Sequence, residues 1–160
     1  MTRRTLFTVV FALTAGALAI IPRISGADPD GHYEVSYTPD QWKARLTPEQ
    51  YYVLRERGTE YAFSSPLDQE KRAGMYQCAG CALALFSSTT KFDSGTGWPS
   101  FWAPLSNAVL QTPGGSAFFG IEVHCRRCGS HLGHKFDDGP KPTGLRYCIN
   151  GVALRFIPKA

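Results

Sequence analysis

The apolar positions of the 160-residue chain fall into three regimes. From Leu6 to Ile21 they run on for 16 residues without a charge. In the second regime they recur at helical spacing. Leu46, Tyr51 and Leu54 make a stripe beside Thr47-Pro48-Glu49-Gln50, which places a capping hydroxyl at the N-cap, Pro at the first helical position and Gln three residues after the cap. This predicts a helix from Pro48 to a stop at Gly58, and Pro39 with Trp42 predicts a short helical turn before it. From Gly74 onward, short apolar runs broken by Gly, Pro and polar clusters predict strands over 75–77, 84–86, 117–123, 145–149 and 152–157. The last two flank Asn150-Gly151, the strongest short-range hairpin signal. The pattern describes one mainly β domain with a helical N-terminal segment and no internal repeat.

Composition agrees: 43% hydrophobic and 19% charged residues exclude extended disorder, and 16 Gly with 11 Pro suit a chain of many turns. The first apolar run has a different meaning. Arg3 and Arg4 precede it, and Ser25-Gly26-Ala27 gives the small-x-small exit of a leader, so residues 1–27 read as a signal peptide, with Arg3-Arg4 resembling a twin-arginine signal. The competing reading is an uncleaved membrane anchor, although a span needs roughly 20 apolar residues. Cleavage would remove three arginines and no acids from the 17 basic side chains, leaving 14 against 13 acidic, so the formal charge falls from +4 to +1. That excludes nucleic-acid binding driven by net charge. The expected organisation is a leader over 1–27, a mobile lead-in over 28–38 and a single domain over 39–160, exported and most simply periplasmic, with no stable membrane insertion after cleavage.

The five cysteines sort into four plus one. Cys78-Ala79-Gly80-Cys81 and Cys125-Arg126-Arg127-Cys128 are two CxxC knuckles, whose paired sulfurs form a tetrahedral thiolate cage suited to one structural zinc ion. With 43 residues between them, the metal would join distant parts of the domain. Two disulfides are the alternative in an exported protein. Haem attachment fails because Ala82 and Gly129 stand where a His is required.

Cys148 is the remaining cysteine. On a strand it shares a face with Arg146 and Asn150, and a neighbouring cation favours the nucleophilic thiolate. His131-Leu132-Gly133-His134 supplies two imidazoles able to donate protons. Trp98, in Gly95-Thr96-Gly97-Trp98-Pro99-Ser100-Phe101, offers a wall for a sulfur-bearing group, while Asp137-Asp138 reads as a solvated turn.

Taken in order, TPEQYYVLRERGTEYAFSSPL, CAGC, KFDSGTGWPSF, HCRRCGSHLGHKFDDGP and RYCINGVALRF resemble a methionine-R-sulfoxide reductase of the MsrB type from about Trp42 to Pro158. The resemblance implies two antiparallel sheets with short N-terminal helices and a zinc site remote from the active site. It implies that Cys148 is the nucleophile, that His131 and His134 bind and protonate the sulfoxide oxygen, that Asn150 orders the polar side and that Arg146 is the accompanying cation. Trp98 and Phe136 would bind substrate, and Cys78, Cys81, Cys125 and Cys128 would hold zinc. Many members carry a resolving cysteine where this chain has Thr96. An external thioredoxin-like reductant is therefore expected, acting on a monomer that repairs oxidised exported proteins under oxidative stress.

Overall fold

A computed structural model of the protein describes residues 33–112 and 120–160. The leader reading over 1–27 lies outside the described residues, as do 117–119 of the third expected strand.

Both expected helices form. Helix α1 spans Pro39–Lys43 and α2 spans Pro48–Glu56, each with a capping box. In α2 the Gln50 amide donates to Thr47 Oγ1 at 3.2 Å while Thr47 N–H donates to Gln50 Oε1 at 3.1 Å; such a cap stabilises by about 1 kcal/mol. The helix ends one residue earlier than Gly58 suggested: Arg57 takes the left-handed conformation at φ 59°.

Nine strands follow among the described residues: β1 (Gly74–Cys78), β2 (Ala84–Ser87), β3 (Lys91–Phe92), β4 (Ser100–Phe101), β5 (Val109–Gln111), β6 (Ile121–Cys125), β7 (His131–Phe136), β8 (Arg146–Ile149) and β9 (Leu154–Pro158). They make two antiparallel sheets, in the orders β2-β1-β9 and β3-β4-β8-β7-β6-β5. Tyr76 and Phe86 from the smaller sheet meet Phe101 and Tyr147 from the larger one in a buried aromatic cluster, with Phe86 stacked on Phe101 at 4.4 Å between centroids. The mainly β expectation holds.

The expected hairpin does not form. β8 and β9 belong to different sheets, and Gly151–Ala153 is a 3₁₀ turn between them. A two-residue I′ hairpin needs positive φ at both central residues, whereas Asn150 has φ −60°. A long-range partner holds the turn instead. The buried Glu60 carboxylate accepts from Gly151 N–H at 2.6 Å and Val152 N–H at 2.9 Å, while Glu60 N–H donates to Asn150 Oδ1 at 3.0 Å.

Of the segment read as a lead-in, residues 33–38 are described and carry defined contacts. Val35 N–H donates to the Arg127 carbonyl at 3.0 Å, Glu34 pairs with Arg126 at 2.6 Å, and the Tyr33 ring covers Gly129. Among the described residues no helix is long and apolar enough to cross a membrane.

Candidate active site and metal centre

Each cysteine knuckle closes the end of a strand. Cys78 ends β1 in the smaller sheet and Cys125 ends β6 in the larger one. In both, the residue after the second cysteine is left-handed, Ala82 at φ 59° and Gly129 at φ 67°, and its N–H turns back to the first cysteine's carbonyl at 2.8 and 2.9 Å. In the first knuckle Ala82, not Gly80, takes the left-handed conformation.

The four sulfurs lie within 4.8 Å of one another, with Cys78 and Cys128 at 3.8 Å and Cys81 and Cys125 at 3.5 Å. A tetrahedron of Zn–S bonds near 2.3 Å has edges of about 3.8 Å, so the sulfur set fits a metal ion. Surrounding groups orient it: the Ser130 hydroxyl lies 3.2 Å from Cys128 Sγ, and Arg55 Nη1 donates to Ser130 Oγ at 3.2 Å and to the Cys128 carbonyl at 3.1 Å. A metal bound here would staple the two sheets together.

Cys148 lies elsewhere, on β8. Tyr147 and Ile149 turn into the core, so Arg146 and Cys148 take the other face. His134 stands directly opposite Cys148 across the β7–β8 pair, and Phe136 stands opposite Arg146. A cavity of about 160 Å³ is lined by Thr59, Trp98, Gly133, His134, Phe136, Cys148 and Asn150. Gly133 is needed there, because a Cβ would run into the Cys148 carbonyl oxygen. Trp98 is fixed by its indole N–H, which donates to the Glu60 carbonyl at 3.2 Å.

The remaining candidates are placed less simply. Asn150 lines the cavity, but its amide is engaged, donating to the Leu132 carbonyl at 3.0 Å and accepting from Glu60 N–H. Arg146 is gripped by Asp138 through two 2.8 Å hydrogen bonds and lies over the Phe136 ring at 4.4 Å. Asp138 is thus more than a solvated turn residue. His131 does not line the cavity: it is buried beneath the surface, with its ring 5.3 Å from that of His134.

A β-bulge explains how two histidines three residues apart come together. On a regular strand, residues at odd spacing face opposite ways. Here Glu122 pairs with His134 while His124 pairs with His131, so the extra residue in β7 returns His131 to the face of His134.

The electrostatics correct one expectation. Burial pushes the Cys148 thiol above its ordinary range; the Arg146 charge and the Thr96 hydroxyl, 4.0 Å from the sulfur, pull the other way without prevailing. The resting sulfur is a thiol more than a preformed thiolate. Burial likewise lowers His134 and His131, with Glu122 opposing in both cases.

Sequence reasoning passed over Glu60, Thr59 and Glu122, and read Asp138 only as a turn residue. Glu122 had the clearest signal, an acidic residue two places before His124 on an expected strand, yet its partner was not readable without the bulge.

The protein thus has two antiparallel sheets whose strand ends bring four cysteines together, and a separate cavity lined by a cysteine, a histidine and a tryptophan. A family model, the SelR domain, matches residues 46–158, and the chain belongs to this family. It is 50% identical over 127 residues to the peptide methionine sulfoxide reductase MsrB of Leptospira interrogans, covering 78% of this chain and 97% of that one. It is 55% identical over 124 residues to the protein of the same name from Methanosarcina barkeri, covering 76% and 87%. The chloroplastic peptide methionine sulfoxide reductase B1 of Arabidopsis thaliana is 52% identical over 122 residues, covering 75% and 60%.

Proposed function

We propose that this peptide methionine sulfoxide reductase reduces the R epimer in oxidised polypeptides, with Cys148 as nucleophile. Family membership supports the reaction class. The observation that carries the residue assignment is the pairing of Cys148 with His134 inside a cavity walled by Trp98 and Phe136.

The oxidised methionine side chain enters with its methyl against the Trp98 indole. Sulfoxide sulfur is a weak electrophile until its oxygen takes a proton or hydrogen bond, and His134, backed by His131, supplies that. Cys148 then attacks sulfur as its thiol proton leaves. Oxygen passes to the Cys148 sulfur, which is oxidised by two electrons to a sulfenic acid, while the sulfoxide is reduced by two electrons and departs as methionine. Two external thiol equivalents return Cys148 to the thiol, forming one disulfide and one water. Since the other four cysteines are clustered together, a thioredoxin-like protein is the proposed donor.

The metal we assign to Cys78, Cys81, Cys125 and Cys128 is zinc, on the preference of four thiolates for a tetrahedral d¹⁰ ion. Its role is structural. Export of residues 28–160 after cleavage of a 1–27 leader, with repair of oxidised proteins in the periplasm, is the proposed setting, supported by Arg3-Arg4, the Leu6 to Ile21 run and Ser25-Gly26-Ala27. A monomer is the proposed state.

Reduction of separated R and S epimers of a methionine sulfoxide peptide, with dithiothreitol as donor, tests the activity. Methionine is expected from the R epimer alone, and equal turnover of both would refute the assignment. Metal analysis of the same sample should return one zinc per chain; a preparation active at zero zinc content, with the knuckles disulfide-bonded, would refute the metal assignment.

A further inference from the structure

Glu122 has no place in the cavity, yet it is tied to the histidine behind it. Its Oε1 lies 3.0 Å from His131 Nδ1 and 3.2 Å from Arg57 Nε, and the Thr112 hydroxyl donates to Oε2 at 3.5 Å. An ionised carboxylate only accepts, so the hydrogen of His131 sits on Nδ1 and Nε2 keeps a lone pair. That Nε2 is the one buried side-chain nitrogen or oxygen without a hydrogen-bond partner among the described residues. Leaving such an atom unpaired is unfavourable, because its hydration is lost with nothing in return. The ring packed against His131 is that of His134, on the cavity wall.

We propose that Glu122 is a positioning residue for sulfoxide reduction: it locks His131 in the Nδ1–H tautomer, so that the buried Nε2 is free to exchange a proton toward His134, and Arg57 on the same carboxylate oxygen limits how strongly that charge is felt. This rests on the reading that His131 and His134 handle the sulfoxide oxygen. Nδ1–H stays on Glu122 throughout while Nε2 gains or gives the proton, so no ring has to turn.

The groups facing His131 are Glu122 and His124 from β6, His134 from its own strand and Arg57 from the end of α2. Burial disfavours the imidazolium most, and His134 and Arg57 add to that; Glu122 alone opposes them. Burial also tends to raise Glu122, but His131 and Arg57 outweigh it and hold the carboxyl below its ordinary range. Removing the negative charge must therefore make His131 harder to protonate, and removing Arg57 must make it easier.

The test uses Glu122→Gln, which keeps size and an acceptor oxygen but loses charge, Glu122→Ala, which loses both, and the exposed Arg57→Gln. The readouts are kcat and KM on an R-sulfoxide peptide across pH, and the tautomer of His131 by nitrogen-15 NMR. Wild type should show the Nδ1–H form and Glu122→Ala should lose it. Glu122→Gln should lower kcat about tenfold with little change in KM, a small share of the 10²–10⁴ typical of acid–base groups. The alkaline limb of the rate should move to lower pH in Glu122→Gln and to higher pH in Arg57→Gln. An unchanged tautomer in Glu122→Ala, or limbs that stay put or move together, overturns the proposal. His131→Ala separates the failures. If it is slow while the Glu122 variants match wild type, positioning by Glu122 falls and the reading of His131 stands. If it is as fast as wild type, that reading falls and takes the proposal with it.

Discussion

Cys148 and His134 are direct cross-strand neighbours, paired in register between β8 and β7 on the face turned away from the inter-sheet core. Side chains so opposed on one face have Cβ atoms about 4.5–5.5 Å apart, close enough for one sulfoxide group to touch both. His134→Ala should lower kcat/KM by roughly 10²–10⁴-fold, while alkylation of Cys148 by iodoacetamide continues. A loss smaller than threefold would remove His134 from the proton-delivering role.

Arg146 bears on the Cys148 thiol by charge. Burial holds the Cys148 thiol high and the guanidinium draws it back. With Arg146→Met the cation is gone, the thiolate is less favoured and the thiol titrates higher still. At neutral pH less thiolate is then present, so alkylation must slow and its pH inflection must move upward. An unchanged or faster rate would show that Arg146 serves only to pack against Phe136 and Asp138.

Thr96 stands 4.0 Å from the Cys148 sulfur and is held by Ser94, 2.8 Å away. A thiol in this place lies within disulfide reach after a small side-chain shift. Thr96→Cys should form an internal disulfide with Cys148 after one turnover without added donor. Peptide mapping should find that crosslink, whereas the parent protein should retain a sulfenic acid.

Asn150 joins the loop that follows α2 to β7 through two buried backbone groups, Glu60 N–H and the Leu132 carbonyl. Asn150→Ala leaves the buried Glu60 N–H without its acceptor, at a cost of about 1–3 kcal/mol, while the Leu132 carbonyl keeps the backbone N–H of residue 150 at 2.9 Å. Thermal unfolding should show Tm lowered by several degrees, together with reduced activity as Trp98 loosens from Glu60. An unshifted Tm would mean that water replaces the amide without loss.

What could be read along the chain was local. Thr47 and Gln50 announce α2 because a capping box is closed within four residues. The alternation of Arg146, Tyr147, Cys148 and Ile149 placed the cysteine on its proper face because strand period needs no partner. The four-cysteine centre was legible because each knuckle is a local turn. Long-range contacts were not. Asn150-Gly151 looked like a hairpin because its true partner, Glu60, lies 90 residues earlier. His131 and His134 have odd spacing, and only the bulge opposite His124 brings them to one face.

The most direct measurement follows a single turnover. The fully reduced, zinc-loaded protein is mixed with one equivalent of an R-sulfoxide peptide in the absence of any donor, and both products are followed by mass spectrometry with a sulfenic-acid trap. One methionine should form per chain, with the trap on Cys148 and none on Cys78, Cys81, Cys125 or Cys128. Methionine formed in full while Cys148 stays an unmodified thiol would contradict the mechanism.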